Sequence, residues 1–343
     1  MKFSNKIDLI KKVLQAVIFN KRTPLFVSWE ITRQCNARCK YCNIWDDSSK
    51  ELDTGQVLSI IRELSILGTW MIHFTGGEAL LRSDFGEILR YCRQRGILTS
   101  LNSNGALVPA RIDELTTLRV LAISIDGPEE VHDSARGVGS YHKAMDALAV
   151  ARDRGIQIRL LTVLSKQNLD AVDFLLEKAM EFNATVVFQP ATELLLGGQG
   201  LNPMSPEVKR YRRKIEELIV KKKGRQSRYI ANSLSGLKFL HDWPDMKPIL
   251  CLARLVSCRI ESDGSVLICF RNLTQKRGLD LRSNSMKDVF ERLPSVHCNQ
   301  CYCAPGVELN CLLSLKFDTI FNTWRYLHIA GFFSGRRRAM KYD

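Results

Sequence analysis

Residues 35 to 42 read CNARCKYC, three cysteines spaced C-x3-C-x2-C. Thiolates are ligands for zinc and for iron–sulfur clusters. A structural zinc site takes four protein ligands, and no fourth Cys or His lies nearby; the closest histidine, His73, belongs to a different segment. Three thiolates do suit a 4Fe–4S cubane in which cysteine holds three irons and the fourth stays open. An open iron can chelate a substrate or a cofactor.

The other cysteines support metal chemistry. The chain holds 11 cysteines in 343 residues, and seven of them fall between positions 251 and 311. No secretory signal is apparent at the N-terminus, where Lys11 and Lys12 interrupt the apolar run. A disulfide framework is therefore not expected, and metal or redox roles are. Cys92, alone in LRYCRQRG, reads as an ordinary helix residue.

These thiols must be positioned by regular elements. LFVSWEIT (25–32) reads as a strand that runs straight into the first cysteines. Further short apolar runs bounded by Gly, Pro or Asn are expected strands: 70–77, 97–105, 120–127, 156–164 and 184–191. Helical periodicity covers 7–19, 55–67, 84–95, 141–154 and 168–182, with a shorter piece at 110–117. Asp53, Asp84 and Asn168 are expected N-caps. Strand and helix alternating in this way imply a parallel sheet with crossover helices, either doubly wound or part of a barrel. In both, chemistry gathers at the carboxyl ends of the strands. The polar pieces TRQC, TGGE, NSNG and SIDG each follow an apolar strand, so four loops converge on one rim.

CNARCKYC, with an aromatic residue before its last cysteine, resembles the signature of the radical S-adenosylmethionine (SAM) enzymes. The resemblance covers residues 25 to 191 and implies a partial (βα)6 TIM-type barrel. It also implies that Cys35, Cys39 and Cys42 hold a 4Fe–4S cluster whose open iron takes the amino and carboxylate groups of SAM. FTGGEALL resembles the family's GGE motif, which assigns Gly76, Gly77 and Glu78 to the methionyl ammonium. LNSNG places Asn102 and Asn104 near the cofactor. SIDGPEEVHDSARG resembles a stretch of the peptide-modifying branch, where Ser124 contacts the ribose and Arg136 the SAM carboxylate. The resemblance also sets Tyr41 against the adenine. The activity implied is reductive cleavage of SAM to methionine and a 5′-deoxyadenosyl radical, which abstracts hydrogen from a C–H bond. A reducing partner such as flavodoxin or ferredoxin follows.

The later cysteines form a second group. SDGSV reads as a hairpin turn between strands, and Cys251-x12-Gly264-x4-Cys269 resembles the opening of the SPASM auxiliary-cluster domain. The second half departs from that pattern: after Cys298 and Cys301 a cysteine is expected at position 307, which is Val, and Cys303 and Cys311 appear instead. A shortened, single-cluster version of the twitch type fits, with a full SPASM domain as the alternative. Cys258, Cys269, Cys298 and Cys301 are the first choice of ligands for one auxiliary 4Fe–4S cluster, and a zinc ribbon is the other reading.

The expected organisation is an amphipathic helix (1–24), a radical SAM core (25–200), a basic helical linker (201–250), a small iron–sulfur domain (251–315) and a basic aromatic tail (316–343). The formal charge is +14, much of it in KRYRRKIEELIVKKKGRQSR (209–228), the N-terminus and the final GRRRAMKYD. Such patches attract anionic partners or are simply solvated helix faces. No run approaches the roughly 18 apolar residues of a membrane span. A cytoplasmic location is expected, with peripheral contact at a membrane surface as an option for the basic amphipathic ends. About 24 residues before the first strand hold no winged-helix peptide-recognition domain. The SPASM resemblance favours a peptide or protein substrate; a small-molecule, lipid or sugar precursor is the alternative. Nucleic acid is not expected, although a non-enzymatic zinc or nucleic-acid-binding protein is the competing class.

Overall fold

The computed structural model describes residues 3–46, 50–196, 200–246, 249–269, 279–294, 297–298 and 301–329. Helix α1 (Phe3–Phe19) precedes β1 (Phe26–Thr32). There follow α2 (Thr54–Leu67), β2 (Met71–Gly76), α3 (Phe85–Gln94), β3 (Leu98–Ser103), the short α4 (Val108–Arg111), β4 (Val120–Ser124), α5 (Glu129–Arg136) and α6 (Ser140–Asp153). The repeat closes with β5 (Ile158–Leu164), α7 (Val172–Glu181) and β6 (Thr185–Pro190). Strands β1 to β6 lie side by side in chain order, every neighbouring pair parallel. A doubly wound sheet reverses its strand order at a switch point. This sheet never does, so its crossover helices cover one face and its other face closes inward as a partial barrel.

Local chemistry explains the elements. Asp53 caps α2 in a capping box with Gln56, and Gly68 ends that helix in the left-handed region at φ 84°. Asp84 precedes α3 but does not cap it with its side chain. Its carboxylate instead binds Arg82 and Thr54. Asn168 stands before a 3₁₀ turn and likewise makes no cap; its side chain accepts from the Ser165 amide. Alternate residues of each strand face the helices. Trp29, Phe74 and Phe85 form the centre of that layer, with Phe74 and Phe85 edge-to-face at 5.3 Å, a contact worth about 0.5–1.5 kcal/mol beyond burial.

Beyond the repeat lie α8 (Val208–Lys223), α9 (Leu234–His241), β7 (Ile249–Leu250), β8 (Ser257–Ile260), β9 (Val266–Leu267), α10 (Met286–Arg292), β10 (His297–Cys298), α11 (Ala304–Leu313) and α12 (Phe317–Ile329). The SDGSV hairpin does not stand apart from the core. Strand β8 runs parallel to β1 and extends the sheet to eight strands, with β9 at the edge. Helix α1 packs through Leu9, Val13, Ala16 and Val17 on Leu25, Leu255, Val256 and Leu313. Ile18 and Phe19 remain exposed. Among the described residues no helix is long and apolar enough to cross a membrane. The tail beyond residue 329 lies outside the described residues.

A buried charge network joins β1 to the added hairpin. Glu30, 1 % exposed, binds Arg33 at 2.6 Å and Arg259 of β8. Glu261 binds the same two arginines. Removing one member of such a group leaves its partners charged and desolvated. Glu30→Ala is expected to cost about 3–5 kcal/mol of stability, read as a lower urea midpoint; a loss under about 1 kcal/mol is what a solvent-screened surface pair would give and would contradict the assignment.

Candidate functional site

The cysteine loop leaves β1 at Thr32 and is fastened to the ends of its neighbours. The Gly77 amide donates to the Thr32 carbonyl and the Glu78 amide to the Gln34 carbonyl, both at 2.8 Å. Glycine is required here. A Cβ on Gly76 would collide with the Thr32 carbonyl, and one on Gly77 with that of Gln34. Gly76 also has φ 139°, which L side chains rarely adopt. From β3, Asn104 Nδ2 donates to Asn36 Oδ1 at 2.7 Å. From α5, the Ala135 carbonyl accepts from the Lys40 amide at 2.9 Å.

The three thiols sit half-buried on this loop. Burial pushes Cys35 up and Cys42 up to about 11, and the neighbouring thiols add to both. Adjacent thiolates are unfavourable there without a cation among them, which is the chemistry of a metal-binding donor set. Among the described residues no three His, Cys, Asp or Glu side chains converge on a point where one metal ion could sit. A single zinc would need sulfurs about 3.8 Å apart, from Zn–S bonds of about 2.3 Å in a tetrahedron. A cubane distributes its thiolates over separate irons.

Glu78 is fully buried and ties β2 to β3. Its carboxylate accepts from the Asn104 amide at 2.8 Å, the Leu80 amide at 3.2 Å and Ser103 Oγ at 3.1 Å. Burial raises its carboxyl while these bonds oppose the rise. Gly76, Gly77, Glu78 and Asn104 thus come together around the cysteine loop, whereas Asn102 lies within β3, in register with Ala122. On the far side, Tyr41 Oη donates to Asp126 Oδ2 at 2.9 Å and Arg136 Nε donates to the same oxygen at 2.6 Å. The Arg136 guanidinium lies 5.3 Å from the Tyr41 ring centre. Although burial opposes it, Asp126 is the main group keeping that guanidinium charged. Ser124, at the end of β4, is buried beside this group in sequence and strand register.

Two residues here were not singled out as site residues from sequence. Asp126, in the strand-end piece SIDG, holds both Tyr41 and Arg136. His132, buried, takes the Asp126 amide on Nδ1 at 3.2 Å. Burial lowers its pKa to about 4, so it is neutral. The signal was available in the strand-end position of Asp126. The His132 contact was not, because helix α5 was not anticipated.

The barrel's inner face is polar. Strand alternation turns Ser28, Glu30, His73, Ser100 and Arg259 away from the apolar layer. His73 Nδ1 lies 2.8 Å from Ser100 Oγ, and burial, aided by Arg159 and Arg259, lowers its pKa to about 4.

In the second group of cysteines, Cys251 precedes the 3₁₀ turn Leu252–Leu255. The Ala253 amide donates to Asn310 Oδ1 at 2.9 Å, and Asn310 Nδ2 reaches Cys301 Sγ at 3.7 Å. Ser257 Oγ donates to the Ala253 carbonyl at 2.8 Å. Continuing the β8–β9 register sets Cys269 opposite Ser257. The β7–β10 ladder pairs Cys298 with Ile249, two residues before Cys251; the Cys298 side chain lies outside the described residues. Cys258 faces the other way. It is 2 % exposed in the core beside Ile260, and burial pushes its thiol up to about 12. Cys303 precedes α11 and Cys311 lies within it, half-buried and pushed up to about 11.

The profile of the radical SAM superfamily matches residues 29–179. An AdoMet-dependent heme synthase of Nitratidesulfovibrio vulgaris is 31 % identical over 151 residues, 42 % of this chain and 41 % of that protein. A PqqA peptide cyclase of Ruegeria pomeroyi is 30 % identical over 169 residues, 47 % of this chain and 45 % of that protein. The alignments therefore span less than half of these curated relatives. The structure of Streptococcus suis SuiB bound to precursor peptide SuiA has a similar fold, with a TM-score of 0.65 at 17 % identity over 82 % of this chain and 68 % of that one.

Because the cysteine loop rests on Gly77 without room for a methyl group, Gly77→Ala is expected to displace residues 32–36. Iron bound per chain after anaerobic reconstitution should fall by about half or more with helix content unchanged in far-UV circular dichroism. Full iron retention would show that the loop does not depend on that contact.

Proposed function

We propose that this chain, which belongs to the radical SAM superfamily, cleaves SAM reductively and takes a hydrogen atom from a C–H bond of a peptide or protein. A 4Fe–4S cluster and SAM are its cofactors, and when bound they supply the electron and the 5′-deoxyadenosyl radical. The observation that carries the reading is the fastening of the cysteine loop to TGGE, LNSNG and SIDGPEEVHDSAR at one rim. In this reading Cys35, Cys39 and Cys42 hold the cluster. Gly76, Gly77 and Glu78 receive the methionyl ammonium, Arg136 the carboxylate and Ser124 the ribose, with Asn102 and Asn104 beside them. Tyr41, pinned by Asp126, offers its ring to the adenine. Asp126 fixes one edge of the Arg136 guanidinium and leaves its remaining donors for an anion. The inner wall, with neutral His73, positions the substrate and excludes water.

Residues 25–200 form the catalytic core in this account, and residues 251–315 hold one auxiliary 4Fe–4S cluster. Cys251, Cys269, Cys298 and Cys301 are its ligands. Cys251 replaces Cys258 in this set, because Cys258 lies on the face of β8 turned into the core. A flavodoxin or ferredoxin serves as reductant. Exposed Ile18 and Phe19, beside Lys21, support peripheral contact with an anionic membrane surface. The peptide substrate is supported by the peptide-cyclase relative and by the peptide complex of the SuiB fold. Likeness to a heme synthase supports the second reading, the same chemistry on a small molecule.

The variant Cys35→Ala/Cys39→Ala/Cys42→Ala is expected to lose about four irons per chain and all reductive SAM cleavage, measured as 5′-deoxyadenosine formed under dithionite. Undiminished cleavage would refute the assignment. Arg136→Met and Ser124→Ala are expected to weaken SAM binding at least about tenfold, or about 1.4 kcal/mol, with iron content preserved. Unchanged affinity in both would remove them from the SAM site.

A further inference from the structure

Arg254 is a buried cation with no carboxylate partner among the described residues. It is 8 % exposed, and its Nε and Nη1 have no hydrogen-bond partner among the described residues. It lies in the turn Leu252–Leu255, which Cys251 precedes and which Asn310 links to Cys301. In a 3₁₀ turn, side chains three apart eclipse each other. Leu252 and Leu255 form one such row and pack on α1; Arg254 lies off that row. The nearby Arg22 contrasts with it. Arg22 donates to the Glu291 and Leu293 carbonyls at the end of α10. Burial, and then the charge of Arg254, lower its pKa. Two guanidiniums therefore share one region, and only Arg22 makes hydrogen bonds there among the described residues.

A buried, unpartnered guanidinium costs several kcal/mol, and such a group persists where an anion offsets it. Four thiolates outweigh the charge of a 4Fe–4S core, so a cluster held by cysteine is net negative, and more so when reduced. Its sulfurs accept hydrogen bonds, and such bonds tune its potential. The orphaned donors thus fit this group, whereas a neutral apolar neighbour would leave them uncompensated.

We infer that Arg254 is a positioning residue for the auxiliary cluster, donating Nε–H and Nη1–H to its sulfur ligands and favouring its reduced state. This inference rests on the auxiliary-cluster reading above. It makes the turn Leu252–Leu255 the cradle of the cluster: Cys251 supplies a thiolate, Ala253 is tied to Cys301 through Asn310, and Arg254 supplies the compensating charge.

The test uses the full chain carrying Cys35→Ala/Cys39→Ala/Cys42→Ala, so that only the auxiliary cluster reports. In this background Arg254→Met is expected to shift the midpoint potential, followed by EPR in a redox titration, to more negative values, with Arg254→Lys intermediate. In the iron-free protein Arg254→Met should raise the thermal midpoint, because it removes an uncompensated buried charge, and this gain should vanish once iron and sulfide are restored. Loss of iron in Arg254→Met but not in Arg254→Lys also supports the role. An unmoved potential at full iron content overturns it alone, as does iron loss in both variants with a lower thermal midpoint in the iron-free protein. Absence of iron from the background itself overturns the auxiliary cluster and this inference together.

Discussion

The site depends on two backbone hydrogen bonds, from Gly77 to Thr32 and from Glu78 to Gln34. They lash the end of β2 to the start of the cysteine loop at a separation that only glycine permits. Glu78 then passes the constraint to β3 through Ser103 and the Asn104 amide. The loop's remaining side is held by Ala135 of α5. A loop carrying three thiols would otherwise be free to fold back on its own side chains. Here three neighbouring elements fix it, so its geometry is set by the fold.

The barrel makes that fixation possible. Parallel strands in unbroken chain order bring every carboxyl end to one rim, so residues from 35 to 136 meet although they are remote in sequence. The hairpin β8–β9 joins β1 at the opposite edge of the strand series from β6. Arg33, two residues before Cys35, pairs with Glu30 and Glu261, and Arg259 pairs with both carboxylates. The same charge network thus touches the base of the cysteine loop and the hairpin leading to Cys269. A rearrangement at either end would have to break buried ion pairs, which binds the two cysteine groups into one mechanical unit.

Much of this was legible in the sequence because the informative residues are local. The apolar runs place β1 to β6 within a few residues, since each is bounded by glycine or a polar loop. The capping box of α2 is written in Asp53 and Gln56. Asp84 and Asn168 have the right types for caps but spend their oxygens elsewhere, on Arg82 and on the Ser165 amide, which only three-dimensional neighbours decide. The choice between a doubly wound sheet and a barrel was open for the same reason: strand order is a long-range property. Cys258 illustrates the limit most clearly. Spacing cannot say which face of a strand a thiol occupies, and β8 turns this one into the core because Arg259 must face Glu30.

The central claim is that the cysteine loop presents an open iron to SAM. Electron–nuclear double resonance on the reduced protein, with SAM labelled by ¹⁵N in its amino group and ¹⁷O in its carboxylate, tests it most directly. The account predicts hyperfine coupling of both labels to a cluster in the native chain and none when Cys35, Cys39 and Cys42 are replaced. A cluster-replete, SAM-saturated native protein showing neither coupling would contradict it.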